Sequence, residues 1–235
     1  MKIIPVRSSS AGNGYILEDD RGVVFILDCG VSFREMYRSH DFHVASVAGC
    51  LISHEHGDHS KYHSEISRAS VPLYVTRGTG KALGLKASYK VKIIEAGRAI
   101  KIESWTVVPF PTIHDAAEPV GFLLSDGKNK ILFATDTAYI TNTFVGLTHV
   151  MIECNYQMSV LNESVDNGRI TVSQRERIIG NHFGLENVLE FFNATDLSRL
   201  QEVYLLHLSN SNSNEEECVD AVRSATGVPV YACKE

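Results

Sequence analysis

Short apolar and β-branched runs, broken by Gly, Asn and Asp, fill the first half of the chain and predict strands. They fall at Lys2–Val6, Gly14–Leu17, Val23–Asp28 and Val47–Ser53. After Ser53 the pattern gives way to a His- and Asp-rich loop, and then to a helix over His59–Ala69. Further strands are predicted at Pro72–Val75, Tyr89–Ile94, Ile100–Ile102, Thr106–Pro109, Val120–Leu124, Lys130–Thr135 and Val150–Glu153, with a short helix at Thr79–Leu85. The last quarter predicts helices at Ser173–Ile179, Leu185–Asn193 and Glu215–Ala225, a strand at Val203–His207 and a last short one at Pro229–Tyr231. Two sets of strands, with helices between and after them, imply an α/β chain in which sheet packs on sheet and helices cover the outside. No repeat, low-complexity tract or Pro/Gly/Ser linker interrupts the 235 residues, so one domain over 1–235 is expected.

Composition narrows the function. Hydrophobic residues are 44% and charged residues 21% of the chain, ordinary globular usage that leaves no room for extensive disorder. The formal net charge of −6 disfavours a protein that coats duplex nucleic acid, which gains its affinity from Lys and Arg. It still permits a small phosphate-bearing substrate held by a local metal cluster. Cys29, Cys50, Cys154, Cys218 and Cys233 are odd in number, widely spaced and without a CxxC pair, as expected of reduced thiols in a cytosolic protein. No apolar run approaches the ~20 residues of a membrane helix, and no signal peptide opens the chain, so a cytoplasmic protein is expected.

The chemistry is concentrated in Ser53-His54-Glu55-His56-Gly57-Asp58-His59, where four potential ligands fall within six positions directly after an apolar strand. Alternate residues of an extended segment share a face, so His54 and His56 can point the same way. Asp58 and His59 follow where the chain turns into a helix. Imidazole and carboxylate together suit Zn²⁺, with Mn²⁺ or Fe²⁺ as alternatives. More distant candidates sit at predicted strand ends: His114 after Val107–Ile113, Asp136 after Lys130–Thr135, and His207 after Val203–Leu206.

His-x-His-x-Asp-His, a later His, a strand-terminal Asp and a late strand-terminal His resemble the ligand order of the metallo-β-lactamase superfamily. The resemblance spans nearly the whole chain and implies a four-layer αββα sandwich in a single domain. It implies two divalent ions per chain, Zn²⁺ or alternatively Mn²⁺. By the same resemblance His54, His56 and His114 would hold one ion, Asp58, His59 and His207 the other, and Asp136 would bridge them. Class B β-lactamases carry Cys near the Asp136 position and lack a ligand at position 59, so this chain departs from them. Glyoxalase II adds a helical C-terminal region that the 28 residues after His207 are too few to supply.

Other segments resemble phosphodiesterases. Ser8-Ser9-Ser10-Ala11-Gly12-Asn13-Gly14, Ile26-Leu27-Asp28-Cys29-Gly30, Phe110–Ala116, Glu118–Gly121, Ala134–Thr137, Met151–Tyr156 and Leu206–Ser209 are similar to WalJ/YycJ-like proteins. In tRNase Z a Glu follows the bridging Asp, mirrored by Glu153, and a later His-Ser motif is mirrored by His182-Phe183, with Phe183 departing from the small hydroxyl residue. No long basic insertion resembles a tRNA-binding arm, and the span from Asp136 to His207 is too short for an inserted β-CASP domain. Compact phage enzymes of the anti-Pycsar type resemble this description; they hydrolyse 3′,5′-cyclic mononucleotides, cyclic CMP and cyclic UMP above all, to evade a host antiviral defence. That resemblance implies a small cyclic-nucleotide substrate, no membrane, a homodimer and, for a phage protein, the host cytoplasm. The alternatives are a WalJ/YycJ-like DNA or RNA nuclease, and a metal-dependent binding protein without turnover. In the hydrolytic reading Asp58, Glu153 and His182 are the catalytic candidates, His182 donating the proton to the leaving oxygen while Glu153 holds it. Asp28 is expected to accept a hydrogen bond from a ligand imidazole, and His63 to lie outside the ligand set.

Overall fold

The computed structural model describes residues 1–40 and 42–233. The chain divides into two compact units, residues 1–111 with 116–120, and residues 112–115 with 121–233.

Unit 1 is built on six strands in sequential order, β1 (Lys2–Ser9), β2 (Gly12–Glu18), β3 (Val24–Leu27), β4 (Val47–Leu51), β5 (Leu73–Thr76) and β6 (Val91–Ile94). β1, β2 and β3 pair antiparallel, whereas β3 to β6 pair parallel. Parallel neighbours need crossover connections. These are α1 (Phe33–Ser39), then α2 (Gly57–Ser60) with α3 (His63–Arg68), then α4 (Arg77–Ala82). Ile16, Ile26, Val31, Met36, Ile52, Ile66, Leu73 and Val75 form one buried cluster that joins the sheet to its helices. A hairpin of β7 (Ile100–Ile102) and β8 (Trp105–Pro111) completes the unit. Its Trp105 is fully buried, meets Phe25 edge-on at 5.6 Å, and donates its indole N–H to Asp19 Oδ2 at 3.1 Å.

Two departures from the expected elements have local causes. The helix predicted over His59–Ala69 is two short helices, because the Tyr62 N–H donates outside the helix to the Cys29 carbonyl (2.9 Å). α1 is not foreshadowed by the pattern, since Arg34, Glu35 and Arg38 dilute its apolar positions. Ser32 caps it by accepting from Glu35 N (3.2 Å), and Met36 anchors it in the core.

Unit 2 carries β9 (Val120–Ser125), β10 (Lys130–Ala134), β11 (His149–Glu153), β12 (Glu202–Leu206) and β13 (Val230–Ala232), in the order β13-β12-β11-β10-β9. β9 is antiparallel to β10; the other pairs are parallel. Every residue of β11 is buried, as a central parallel strand requires. The helices are α5 (Met158–Asp166), α6 (Val172–Asn181), α7 (Leu185–Ala194) and α8 (Glu215–Thr226). α5 escapes the sequence pattern because Ser, Asn, Asp and Val are weak helix formers; burial of Leu161 holds it in place. α8 opens on the Asn214 cap and an acidic first turn, and ends at Gly227 with φ 73°. No helix among the described residues is long and apolar enough to cross a membrane. Because β10, β11 and β12 run parallel, they end at one edge of the sheet, where open α/β sheets place their sites.

Candidate metal centre

In unit 1 the chain leaves β4 and enters α2 within a few residues; His54 and His56 lie in that interval, and Asp58 and His59 lie in α2 itself. His54 Nε2 lies 3.1 Å from His56 Nδ1, and His59 Nε2 lies 3.3 Å from Asp58 Oδ2. Asp28 supports the loop from the end of β3. Its Oδ1 accepts Ser53 N–H at 2.7 Å, and its Oδ2 accepts Ser53 Oγ–H at 3.0 Å and faces His59 Nδ1 at 2.7 Å. A carboxylate on Nδ1 fixes the tautomer and leaves Nε2 as the ligating nitrogen. The expected role of Asp28 therefore has its geometry. Asn13 Nδ2 also lies 3.0 Å from His59 Nε2 and 3.3 Å from Asp58 Oδ2, on the atoms that a bound ion would take over. Nothing in its residue type announces this.

Two further contacts stiffen the loop. Cys29 N–H donates to the His59 carbonyl at 2.7 Å, and a Cβ on Gly30 would sit 1.6 Å from the Asp58 carbonyl oxygen. Only glycine permits that approach. Glu55, between two candidate ligands, accepts Ala117 N–H at 2.7 Å and Thr79 Oγ–H at 3.5 Å. His63 Nδ1 donates to the Ser60 carbonyl at 2.8 Å.

Unit 2 gathers its candidates from several elements. Asp136 lies just beyond β10, Glu153 ends β11, and His207 follows β12 directly. His114 Nε2 is 3.5 Å from Asp136 Oδ2, and His207 Nε2 is 4.0 Å from Asp136 Oδ1. Asp136, Glu153, His182 and His207 each offer an atom within 4.8 Å of the others. Glu153 is fully buried; its Oε1 faces His182 Nδ1 at 2.7 Å, and its Oε2 accepts the N–H groups of Thr137 and Phe183, each at 3.0 Å. The pairing of His182 with Glu153 matches the expectation. Asn155 and Asn181 are supports that the sequence does not reveal. The Asn155 amide lies 3.0 Å from His207 Nδ1 and donates to the His207 carbonyl at 2.9 Å. Asn181 accepts from the His114 ring through its carbonyl (3.0 Å) and from Asp115 N–H through its side chain (2.9 Å).

The donor set is imidazole nitrogen and carboxylate oxygen throughout, which fits Zn²⁺ and next Mn²⁺ or Fe²⁺. Backbone strain points to the same residues. Of the five non-glycine residues with positive φ among the described residues, three are Asp28 (58°), Asp136 (41°) and His207 (52°). The left-handed region costs an ordinary residue about 1–2 kcal/mol, and such strain collects at functional sites.

Residues 24–207 match the family described as the beta-lactamase superfamily domain, a stretch that runs through both units. The chain belongs to the beta-lactamase superfamily, and it is a metal-dependent hydrolase of that superfamily. Among relatives, it is 25% identical over 229 residues to exodeoxyribonuclease YycJ of Bacillus anthracis, covering 89% of this chain and 83% of that one. Among solved structures, it is similar to the metallo-β-lactamase fold protein YhfI of Bacillus subtilis, with TM-score 0.73 and 14% identity over 99% of this chain and 96% of that one. A diphosphatase of the PhnP family follows with TM-score 0.70 and 16% identity, over 99% and 94% of the two chains. These two structures establish the fold, an α/β arrangement of two sheets and helices of the metallo-β-lactamase type.

Proposed function

We propose that this chain is a dinuclear metal-dependent phosphodiesterase. His54, His56 and His114 would hold one ion, Asp58, His59 and His207 the second, and Asp136 would bridge them, all within one functional domain. The ions we infer are Zn²⁺, with Mn²⁺ the alternative; when bound they supply Lewis-acid stabilisation of phosphoryl charge and acidify water. The observation that carries the reading is the buried Glu153 carboxylate holding His182 Nδ1 at 2.7 Å. Hydrolysis of a natural phosphodiester expels an alkoxide, which must be protonated. With Nδ1 engaged by Glu153, His182 presents Nε2 to deliver that proton. Asp58 serves twice, as ligand and as acceptor for a proton of the attacking water.

Likeness to an exodeoxyribonuclease over most of both chains supports a nucleotide phosphodiester as substrate class. Within that class we favour a 3′,5′-cyclic mononucleotide, hydrolysed to the 5′-monophosphate, because a net charge of −6 suits a small substrate better than a long polyanion. Such an activity would let a phage clear a cyclic-nucleotide alarm signal, and a homodimer would accompany it. The second reading, a nuclease working on DNA, rests on the same 25% identity. Incubation with cyclic nucleotides, single-stranded DNA and RNA, each with Zn²⁺ or Mn²⁺, separates the two. The shared chemistry is tested by His182→Ala. Turnover of the nucleotide substrate should fall by about 10²–10⁴-fold. Hydrolysis of bis(p-nitrophenyl) phosphate, whose leaving group needs no proton, should survive far better. Equal losses would reject His182 as the acid.

A further inference from the structure

α6 leads straight into His182, yet none of its residues is buried. Arg175 ties its middle to α5, donating Nε–H to Asn162 Oδ1 at 2.7 Å. A helix that buries no side chain has little packing to hold its end in place, so the position of His182 has to come from hydrogen bonds. His182 itself is extended, with φ −130° and ψ 157°, and the residues on both sides of it are anchored. Phe183 is gripped by the end of β11: its N–H donates to Glu153 Oε2 at 3.0 Å, and its carbonyl accepts Asn155 N–H at 2.8 Å. Asn181 is gripped by residues 114 and 115. Its carbonyl accepts from His114 Nδ1 at 3.0 Å, and its Oδ1 accepts Asp115 N–H at 2.9 Å. Its Nδ2 turns back and donates to the Arg177 carbonyl at 3.0 Å, which orients the side-chain amide against the helix.

Two imidazoles with different tasks thus meet at one peptide unit. The Asn181 carbonyl takes the Nδ1 proton of His114 and leaves Nε2, 3.5 Å from Asp136 Oδ2, as the ligating atom. The next residue is His182, whose ring centroid lies 5.7 Å from that of His114. The separation of candidate ligand and candidate proton donor is therefore set across a single peptide bond. Removing the Asn181 side chain leaves the grip of Glu153 and the backbone bond to His114, but frees the end of α6 from Asp115. The His182 ring can then pivot about residue 183. A proton donor has to stand within hydrogen-bond reach of its oxygen, and a misplacement of about 1 Å costs up to about 100-fold in rate.

We propose that Asn181 is a positioning residue for the proton donor: by joining residues 114 and 115 to the end of α6, it fixes where the His182 ring stands relative to His114. The kinetic consequence rests on the phosphodiesterase reading. Asn181→Ala is compared with the wild type on bis(p-nitrophenyl) phosphate and on whichever of cyclic UMP and single-stranded DNA the wild type cleaves. The kcat for the nucleotide should fall about tenfold while KM changes by less than about twofold. Bis(p-nitrophenyl) phosphate, whose leaving group needs no proton, should lose less than about twofold. Asn181→Asp, whose side-chain oxygen still accepts Asp115 N–H, should recover most of the nucleotide rate. In a His182→Ala background Asn181→Ala should cost nothing further, as expected of residues that act as one unit. A second measurement needs no turnover. In zinc-loaded protein with ¹⁵N-labelled histidine, the ring proton between His182 and Glu153 should exchange with water faster in Asn181→Ala, while the one between His59 and Asp28 keeps its rate. The proposal is overturned if both substrates lose rate equally, if the loss persists without His182, or if the His182 ring proton is unaffected. If that proton is loosened but the wild type cleaves no phosphodiester, the enzymatic reading fails and the positioning role stands.

Discussion

In unit 1, His54, His56, Asp58 and His59 fall within six residues, and one strand–loop–helix passage presents them all. In unit 2, His114, Asp136, Glu153, His182 and His207 come from five separate places and meet because β10, β11 and β12 run parallel and end together. The contrast shows two ways of reaching one donor chemistry. A local cluster needs its backbone held tightly, and here Asp28 and a glycine contact do so. A dispersed cluster needs only that its strands keep register, with Glu153 tying neighbouring turns to β11.

The sharpest way to break the comparison is at Gly30. A Cβ there would lie 1.6 Å from the backbone carbonyl of Asp58, which cannot rotate aside. Gly30→Ala should therefore displace the loop, lower stability by about 3 kcal/mol or more, and reduce bound metal as measured by elemental analysis. Gly57→Ala is the control in the same loop, since a Cβ there meets nothing within 4 Å; it should change stability by less than about 1 kcal/mol. Comparable losses in both would mean that the loop is intolerant of any change, and the packing argument would fall.

A smaller effect separates the supports of the two units. Asp28 engages Ser53 N–H, Ser53 Oγ–H and the His59 ring, whereas the Asn155 side-chain amide meets the ring and carbonyl of the single residue His207. Asp28→Asn should weaken metal binding by about 10–100-fold in competition with a chelator, and Asn155→Ala by less. The reverse order would show that the dispersed cluster depends more on its supports than the local one.

The smallest effect lies away from both clusters. His149 opens β11, and burial holds its imidazole below the ordinary range, with nearby Glu202 opposing the shift. The folded chain keeps it neutral, while the unfolded chain takes up a proton near pH ~6.5. The unfolded state therefore binds more protons below that pH, and stability falls as pH drops through it. His149→Gln should flatten this part of the stability profile between pH 7 and 5 in denaturant titrations. An unchanged slope would place the acid sensitivity elsewhere, in the candidate ligands.

Much of the molecule is legible residue by residue. The strands can be read because their alternation or apolar runs survive in the sequence, and β7 has the predicted bounds. Asp28 and Glu153 are legible through their positions at strand ends, Glu153 with its partner His182; that His59 is the imidazole Asp28 meets is shown by the structure. α1 and α5 are not, because capping and a few buried side chains hold them where helical periodicity is weak. Asn13, Asn155 and Asn181 stay hidden, since an asparagine in a loop reads as a turn former until a neighbour from elsewhere in the chain is seen.

What the linear chain determined alone is the donor inventory and the nearness of His54, His56, Asp58 and His59, because residues so close along the backbone have little freedom to separate. Tertiary structure decided which scattered polar groups meet. The His182–Glu153 pair and the reach of Asn181 to His114 both depend on strand register and helix packing, which are long-range balances that no short stretch of sequence encodes.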